Sequence, residues 1–188
     1  MLTLYFAPGS SSMAPHIALH EIGAPFEGRP VSLARKEARS PEYLAINPEG
    51  KVPTLVIDGR PLTEVAAILF YLARRYPEAR LLPVSDFEQE AHVISWMSFA
   101  AATLHPARRQ GLDHARRIFG LAERRLADRE WAVGQYSIAD IHIFRLFWRF
   151  MGGYEAAEGE FPALGGHYRR MMARPAVQKT LAAESAAG

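Results

Sequence analysis

Residues 47–72 read NPEGKVPTLVIDGRPLTEVAAILFYL, and the fold of the first part of the chain turns on them. Asn47-Pro48-Glu49-Gly50 is a turn signal, because Asn and Gly accept backbone conformations that other residues resist and Pro pre-sets its own. Val52 to Ile57 is β-prone, with Pro53 near its start, and reads as a strand. Asp58-Gly59 is a tight hairpin turn, and Arg60 to Leu62 form a short return strand. From Glu64 to Arg75 the residues Val65, Ile68, Leu69 and Leu72 recur at helical spacing.

Working outward toward the N-terminus, Leu2 to Phe6 is another β-prone run, stopped by Pro8-Gly9. Ser10-Ser11-Ser12 then offers helix N-cap residues. Pro15 must lie in the first turn of the helix they open, because deeper inside it would clash with the preceding turn. That helix runs to about Glu21, and Gly23 stops it. Phe26 to Val31 predicts a strand weakened at its end by Pro30. Residues 34–47 are polar and predict a short helix after Ser40-Pro41. The order β-α-β-α-β-β-α over residues 1–76 implies a four-stranded mixed sheet with helices on its faces.

Downstream the character changes. Residues 77–85 form a linker bracketed by Pro77 and Pro83, and beyond it no convincing strand occurs. Helices are expected over 86–104 (ended or kinked by Pro106), 112–127, 138–151, 162–173 and 175–184. Ser137-Ile138-Ala139-Asp140 resembles a capping box, and Gly152-Gly153 closes the helix it opens. Residues 86–188 therefore predict an all-helical domain, with an Ala-rich tail from Ala182 expected to fray.

Composition narrows the function. In 188 residues, 22 Lys and Arg face 20 Asp and Glu, and a net charge of +2 makes no strong field for nucleic acid or anionic lipid. The doublets Arg108-Arg109, Arg116-Arg117 and Arg124-Arg125 recur every eight residues, which is not one straight helical stripe; they read as a solvated face or dimer rim. The absence of cysteine removes disulfides, thiolate metal sites and a cysteine nucleophile. His16 and His20 are four apart on one helix face, but no third ligand is evident, so no metal is expected. The N-terminus lacks a basic region, its apolar run breaks at Ala7-Pro8-Gly9, and no stretch reaches the roughly 18–20 apolar residues of a membrane helix. A cytoplasmic protein is the default expectation.

Four segments together resemble the cytosolic glutathione S-transferases. Tyr5-Phe6-Ala7-Pro8-Gly9-Ser10-Ser11-Ser12-Met13-Ala14-Pro15-His16 is similar to the first strand and helix of the bacterial beta-class enzymes. Asn47 to Leu55 resembles the family's NPxGxVPxL segment, whose proline is cis. Leu62 to Leu72 resembles its LTExxAIxxYL segment, and Ser137 to Ile141 its C-domain capping motif. The resemblance spans residues 1 to about 175. It implies a thioredoxin-like N-terminal domain, a compact C-terminal helical bundle, a homodimer with helix 86–106 at the interface, and glutathione as co-substrate. Three departures stand out. Ser11 occupies the usual beta-class cysteine position, Val65 replaces a common serine, and the segment between Ala101 and Arg129 looks trimmed.

Conjugating glutathione requires holding two carboxylates and an amine, and favouring the thiolate. A free thiol has a pKa of about 8.5, and each unit of depression needs about 1.4 kcal/mol of preference for the anion. A hydroxyl donor at a helix N-terminus supplies such a preference. The candidates rank Ser11, then Ser10 (the catalytic serine position of the delta-type enzymes), then Tyr5 (the tyrosine-type position). Capping alone would explain any one serine, but not all three. By resemblance, Val52 before a cis Pro53 presents its backbone to an extended peptide, as an added strand. Glu64 takes the glutathione amine, and the helix N-terminus at Val65 takes the γ-glutamyl carboxylate. Lys51 and Arg35 (with Lys36) are candidates for the glycyl carboxylate, or simply solvated charges. The acceptor site is expected along helix 86–106, with Trp96, Phe99, Thr103 and His105 lining it for a small hydrophobic electrophile. Two alternatives stay open: glutathione-dependent isomerase, dehalogenase or disulfide reductase chemistry, and a non-catalytic protein that binds a protein partner.

Overall fold

Strand β1 (Leu2–Phe6) is central in a four-stranded sheet of order β2-β1-β3-β4, formed with β2 (Phe26–Pro30), β3 (Thr54–Ile57) and β4 (Arg60–Thr63). The structure is a computed structural model that describes residues 1–83, 86–154 and 159–188. β1 runs parallel to β2, from Leu2↔Phe26 to Phe6↔Pro30, and antiparallel to β3, from Leu2↔Ile57 to Tyr5↔Thr54. β3 and β4 form the expected hairpin, with Asp58 (φ 48°) and Gly59 (φ 83°) both left-handed at its turn. Two positive φ values in a two-residue loop match the right-handed twist of the strands, which is why an Asp-Gly pair sits there. β2 is the exposed edge. It ends at Pro30, one residue before the predicted end, and Val31 N donates to Phe6 O at 2.7 Å.

The chain divides into two compact units, Met1–Arg75 with Pro175–Gly188, and Tyr76–Arg174. In the first, helix α1 (Met13–Ile22) ends at Gly23 (φ 65°), as its sequence requires. The predicted helix over 34–47 is instead a 3₁₀ turn at Glu37–Arg39 and helix α2 (Pro41–Ile46), separated by extended Ser40. Ser40 Oγ accepts from Tyr43 N and caps α2, and a residue before proline avoids the helical region. Helix α3 (Val65–Arg75) buries the predicted Val65, Ile68, Leu69 and Leu72 and packs against α1.

The last helix, α9 (Pro175–Ala186), packs along α1 in this first unit. The sequence reading assigned residues 175–188 to the helical domain and expected the tail from Ala182 to fray; the structure has a helix to Ala186 that buries Ala176, Val177, Thr180 and Glu184. Helical spacing identifies a buried face but not the core that face joins.

The second unit is helical. It holds α4 (Phe87–Phe99), α5 (His105–Ala107), α6 (Leu112–Leu126), α7 (Ile138–Met151) and α8 (Pro162–Met172). Part of the expected linker, residues 84–85, lies outside the described residues. Pro106 was expected to end or kink the helix from 86. The helix first widens into one π turn (Ala100–Leu104), with His105 N donating to Ala100 O, and its α-helical run then ends in the short α5 at Ala107, one residue after Pro106. The chain leaves helical geometry only at Gly111 (φ 98°). A wider turn relieves the backbone where proline offers no N–H. α7 is buried along almost its whole length. Phe147 and Phe150, expected as core, pack with Phe119 and Phe161, and Phe119 and Phe150 stack at 4.3 Å.

The capping box at the start of α7 is present and extends further than its motif. Asp140 is fully buried. Its Oδ2 accepts from Ser137 N (2.9 Å) and Ser137 Oγ (3.0 Å), and its Oδ1 from Ala132 N (2.8 Å) and His167 Nε2 (3.1 Å). Ile138 N reaches back to Leu81 O at 2.9 Å.

Candidate functional site

The sheet topology gathers the N-terminal candidates at one end. Ser10, Ser11 and Ser12 follow the carboxyl end of β1. β3 is antiparallel to β1 with Tyr5 opposite Thr54, so Val52 and Pro53 precede β3 at that same end. β4 returns with Thr63 opposite Thr54, so Glu64 and Val65 follow it there. β2 is parallel to β1, so the loop carrying Arg35 also leaves from this end.

The three serines have separate fates. Ser12 is buried; its Oγ accepts from Ala7 N (3.0 Å) and donates to Ala7 O (3.1 Å), tying the helix start to the strand end. With that hydrogen spent, the 2.7 Å contact between Ser10 Oγ and Ser12 Oγ takes the Ser10 hydrogen, and Ser10 Oγ accepts from Ser12 N at 3.2 Å. None of this is side-chain capping of the expected kind: Ser12 stands at the N-cap without bonding the first turn. The first-turn amides of Met13 and Ala14 use the Ser10 and Ser11 carbonyls instead. Ser11 is half-buried, and among the described residues neither its hydroxyl nor its N–H has a hydrogen-bond partner. Two donors at the amino end of α1 thus face outward, where the helix dipole favours an anion.

Val52-Pro53 is a cis peptide, as the resemblance implied. The Val52 side chain packs with Tyr5 on the buried group Val31, Ala38 and Tyr43. Among the described residues its backbone N–H and C=O are unpaired. The turn before it is rigid. Tyr43 Oη (2.6 Å) and Asn47 Nδ2 (2.9 Å) both donate to Lys51 O, and Asn47 Nδ2 also reaches Thr54 Oγ1 at 3.0 Å.

Glu64 is exposed and left-handed (φ 67°). A non-glycine residue there costs on the order of 1–2 kcal/mol, and such strain clusters at functional sites. It immediately precedes α3, whose first amides, at Val65 and Ala66, have no partner among the described residues.

Other candidates are differently placed. Tyr5 Oη accepts from Arg29 Nη1 at 2.9 Å, and its ring meets Tyr43 edge-on, so this hydroxyl already has a partner. Arg35 pairs with Glu37 (2.9 Å) and Lys51 Nζ with Glu49 (2.9 Å), all on the surface. In the helical unit, Trp96 is buried, donates from Nε1 to Ala132 O (3.0 Å) and lies under the Arg125 guanidinium, 4.2 Å from the ring centroid. Its indole N–H is thus committed to the fold. Phe99 is half-buried against Trp96 at 5.9 Å. Thr103 lies in the π turn and His105 just after it, both half-buried. Burial, with Arg145 and Arg109 nearby, lowers the His105 pKa, so this imidazole is neutral at pH 7. His16 does not face His20 across a metal-sized gap. Their rings stack at 5.1 Å, and His16 Nδ1 lies 3.2 Å from Glu184 Oε1.

Glu184 was not singled out from the sequence, where it is one acid in an Ala-rich tail. Nothing local marks it; only the docking of α9 brings it to the serine loop.

A four-stranded mixed sheet in β-α-β-α-β-β-α order with a cis proline before its third strand, in a chain that also carries a helical unit, defines a thioredoxin-like class of protein. Family models agree: the glutathione S-transferase N-terminal domain matches residues 1–74, and the glutathione S-transferase C-terminal domain residues 66–175. The chain is 32% identical to glutathione S-transferase GstA of Escherichia coli O157:H7, covering 97% of this chain and 98% of that one. The solved glutathione transferase of Methylococcus capsulatus is 32% identical with a TM-score of 0.88, covering 99% of this chain and 100% of that one. A sphingomonad glutathione S-transferase complexed with glutathione is 33% identical with a TM-score of 0.87, covering 97% and 98%. The chain belongs to the glutathione S-transferase family.

Proposed function

We propose that this chain binds glutathione at the carboxyl end of β1 and holds its sulfur as a thiolate for attack on a small hydrophobic electrophile. The observation that carries the reading is the set of hydrogen-bonding groups at that end with no partner among the described residues: the Ser11 hydroxyl and N–H, the Val52 N–H and C=O, and the first amides of α3 beside Glu64. Glutathione is an extended peptide with a thiol in its middle. Its cysteinyl backbone pairs with Val52 as an added strand. Its γ-glutamyl carboxylate sits on the amides at Val65, and its amine on Glu64. Its sulfur meets Ser11, which donates a hydrogen bond to the anion and does not act as a nucleophile. Ser10 ranks below Ser11 because its hydrogen is committed to Ser12. Tyr5 ranks below both because it lies in β1 and not at the amino end of a helix, so no helix dipole favours an anion beside it. Lys51 and Arg35 supply positive charge for the glycyl carboxylate, and Phe99, Thr103 and His105 an apolar wall with a neutral imidazole for the electrophile. Trp96 supports that wall from the core. Binding removes the cost of bringing thiolate and electrophile together, and the donors at sulfur keep the nucleophile ionised.

Exposed Phe87 and Ile94 on α4 support a homodimer that covers this helix. A second reaction is favoured by one observation. A maleylacetoacetate isomerase of Rhizobium meliloti is 38% identical over 65% of this chain and 56% of its own length. Isomerisation would use the same thiolate to add to a conjugated double bond and leave again. Ultraviolet titration of bound glutathione against pH, with Ser11→Ala and Ser10→Ala, tests the shared step. The expected result is thiolate absorbance below pH 7 that Ser11→Ala removes and Ser10→Ala largely spares. Bound glutathione with an unshifted thiol overturns the reading.

A further inference from the structure

The serine loop has a second anchor, and it comes from the far end of the chain. Glu184 on α9 is buried, and its two oxygens have separate partners. Oε2 accepts from Gly9 N at 2.7 Å, and Oε1 lies 3.2 Å from His16 Nδ1. A carboxylate can only accept, so the His16 proton is on Nδ1. His16 is itself buried and fixed between Phe6 (4.8 Å), His20 (5.1 Å) and Phe26 (5.7 Å). Glu184 therefore joins the loop before α1 to the second turn of α1 through one rigid group.

Gly9 is left-handed (φ 66°) and begins the turn that delivers the serines. On one side the loop is tied to β1 through Ser12 and Ala7. On the other it is tied to α9 through Gly9 and Glu184. Ser11 sits between these two ties, with a hydroxyl that has no partner among the described residues. A donor that activates a sulfur must stay within about 0.5 Å of the productive position, and a loop held at only one end does not do that.

We propose that Glu184 is a positioning residue for thiolate activation: by accepting from Gly9 N and His16 Nδ1 it fixes the loop so that the Ser11 hydroxyl is already aimed when glutathione arrives. The inference rests on the reading of Ser11 as the sulfur donor. Glu184 acts through Ser11, so its removal should matter only when the Ser11 hydroxyl is there to be misplaced.

The test is the pKa of the bound glutathione thiol, read by ultraviolet absorbance, in wild type, Glu184→Ala, Glu184→Asp, Ser11→Ala and the Glu184→Asp/Ser11→Ala pair. Glu184→Asp shortens the side chain by one methylene, so it cannot span both partners yet keeps the charge and most of the packing. The expected result is a thiol pKa raised by about one unit in both Glu184 variants, a tenfold loss of thiolate preference, with glutathione still bound. On the Ser11→Ala background the Glu184→Asp change should add nothing. Where Glu184→Ala fails to fold, the Asp variant and its pair carry the same comparison. An unchanged thiol pKa in Glu184→Asp overturns the inference, and so does a shift that adds to that of Ser11→Ala. If Ser11→Ala alone leaves the pKa of the bound thiol at its wild-type value, the donor assignment falls first and this inference with it, a result distinct from the other two.

Discussion

Removing the Asp140 carboxylate should strongly destabilise the helical unit. In Asp140→Ala, four hydrogen bonds vanish at a residue with no solvent exposure. Ser137 Oγ can rotate to another acceptor. Ser137 N, Ala132 N and His167 Nε2 cannot, and all lie in the interior. An orphaned buried donor costs about 1–3 kcal/mol, and breaking a buried ionisable pair about 3–5 kcal/mol. Taking the low end for three donors, because water can enter the space left by the carboxylate, the loss is about 3–5 kcal/mol. A domain of ordinary stability has about 5–15 kcal/mol in total. For a chain of this size each kcal/mol lowers Tm by about 2–4 °C, so a fall of about 10–15 °C is expected by circular dichroism. Asp140→Asn should fall less, by about half, because the amide oxygen still accepts from some donors while its NH₂ faces another. A Tm within about 2 °C of wild type for Asp140→Ala would refute the reasoning, since it would mean that the segment before α7 is held by something other than this carboxylate.

Three further outcomes follow from other residues. His142 on α7 is fully buried, its Nδ1 has no partner among the described residues, and burial lowers its pKa from 6.5 to about 3; the unfolded chain therefore binds the extra proton first. Its contribution is intact above pH 6.5 and lost as pH falls toward 3, about 2 kcal/mol between pH 7 and 5. His142→Gln should flatten that part of the stability–pH curve in urea titrations, and an unchanged slope would show that this imidazole is not buried neutral. Glu64 is left-handed, so Glu64→Gly should be about 1 kcal/mol more stable than Glu64→Ala, while both weaken glutathione binding in calorimetry; equal stabilities would place Glu64 outside the left-handed region. Gly50 is left-handed too (φ 61°), and an added Cβ would lie 2.7 Å from Ala38 O and from Arg39 Nη1. Gly50→Ala should cost about 2 kcal/mol or more in denaturant melts and weaken glutathione by displacing Val52. A wild-type melt would show that this turn yields freely.

The hairpin from Val52 to Thr63 and helix α3 behind it were legible in the sequence because everything that sets them is local. Asp58-Gly59 selects the turn, the β-prone run from Thr54 to Ile57 selects the strand, and Val65, Ile68, Leu69 and Leu72 select the helix face. The four strands and their crossovers followed from these and from the two runs upstream. Pro106 marked where the α-helical run stops, at Ala107, but the π turn at Ala100–Leu104 just before it was not legible, since nothing in that Ala-rich stretch signals a wider turn. The candidate site was legible as a set of positions, ranked Ser11, Ser10, Tyr5 by resemblance alone. The hydrogen bonds through Ala7, Ser10 and Ser12 that support the order of the serines exist only once the strand end and the helix start are in place.

By itself, then, the sequence determined the elements, their order and the segments that form the site, since turn chemistry and apolar spacing act over a few residues. Tertiary structure decided which unit α9 serves and what Glu184 touches. That contact joins residues 168 positions apart, and such a pairing depends on how two apolar helix faces fit, which no local pattern encodes.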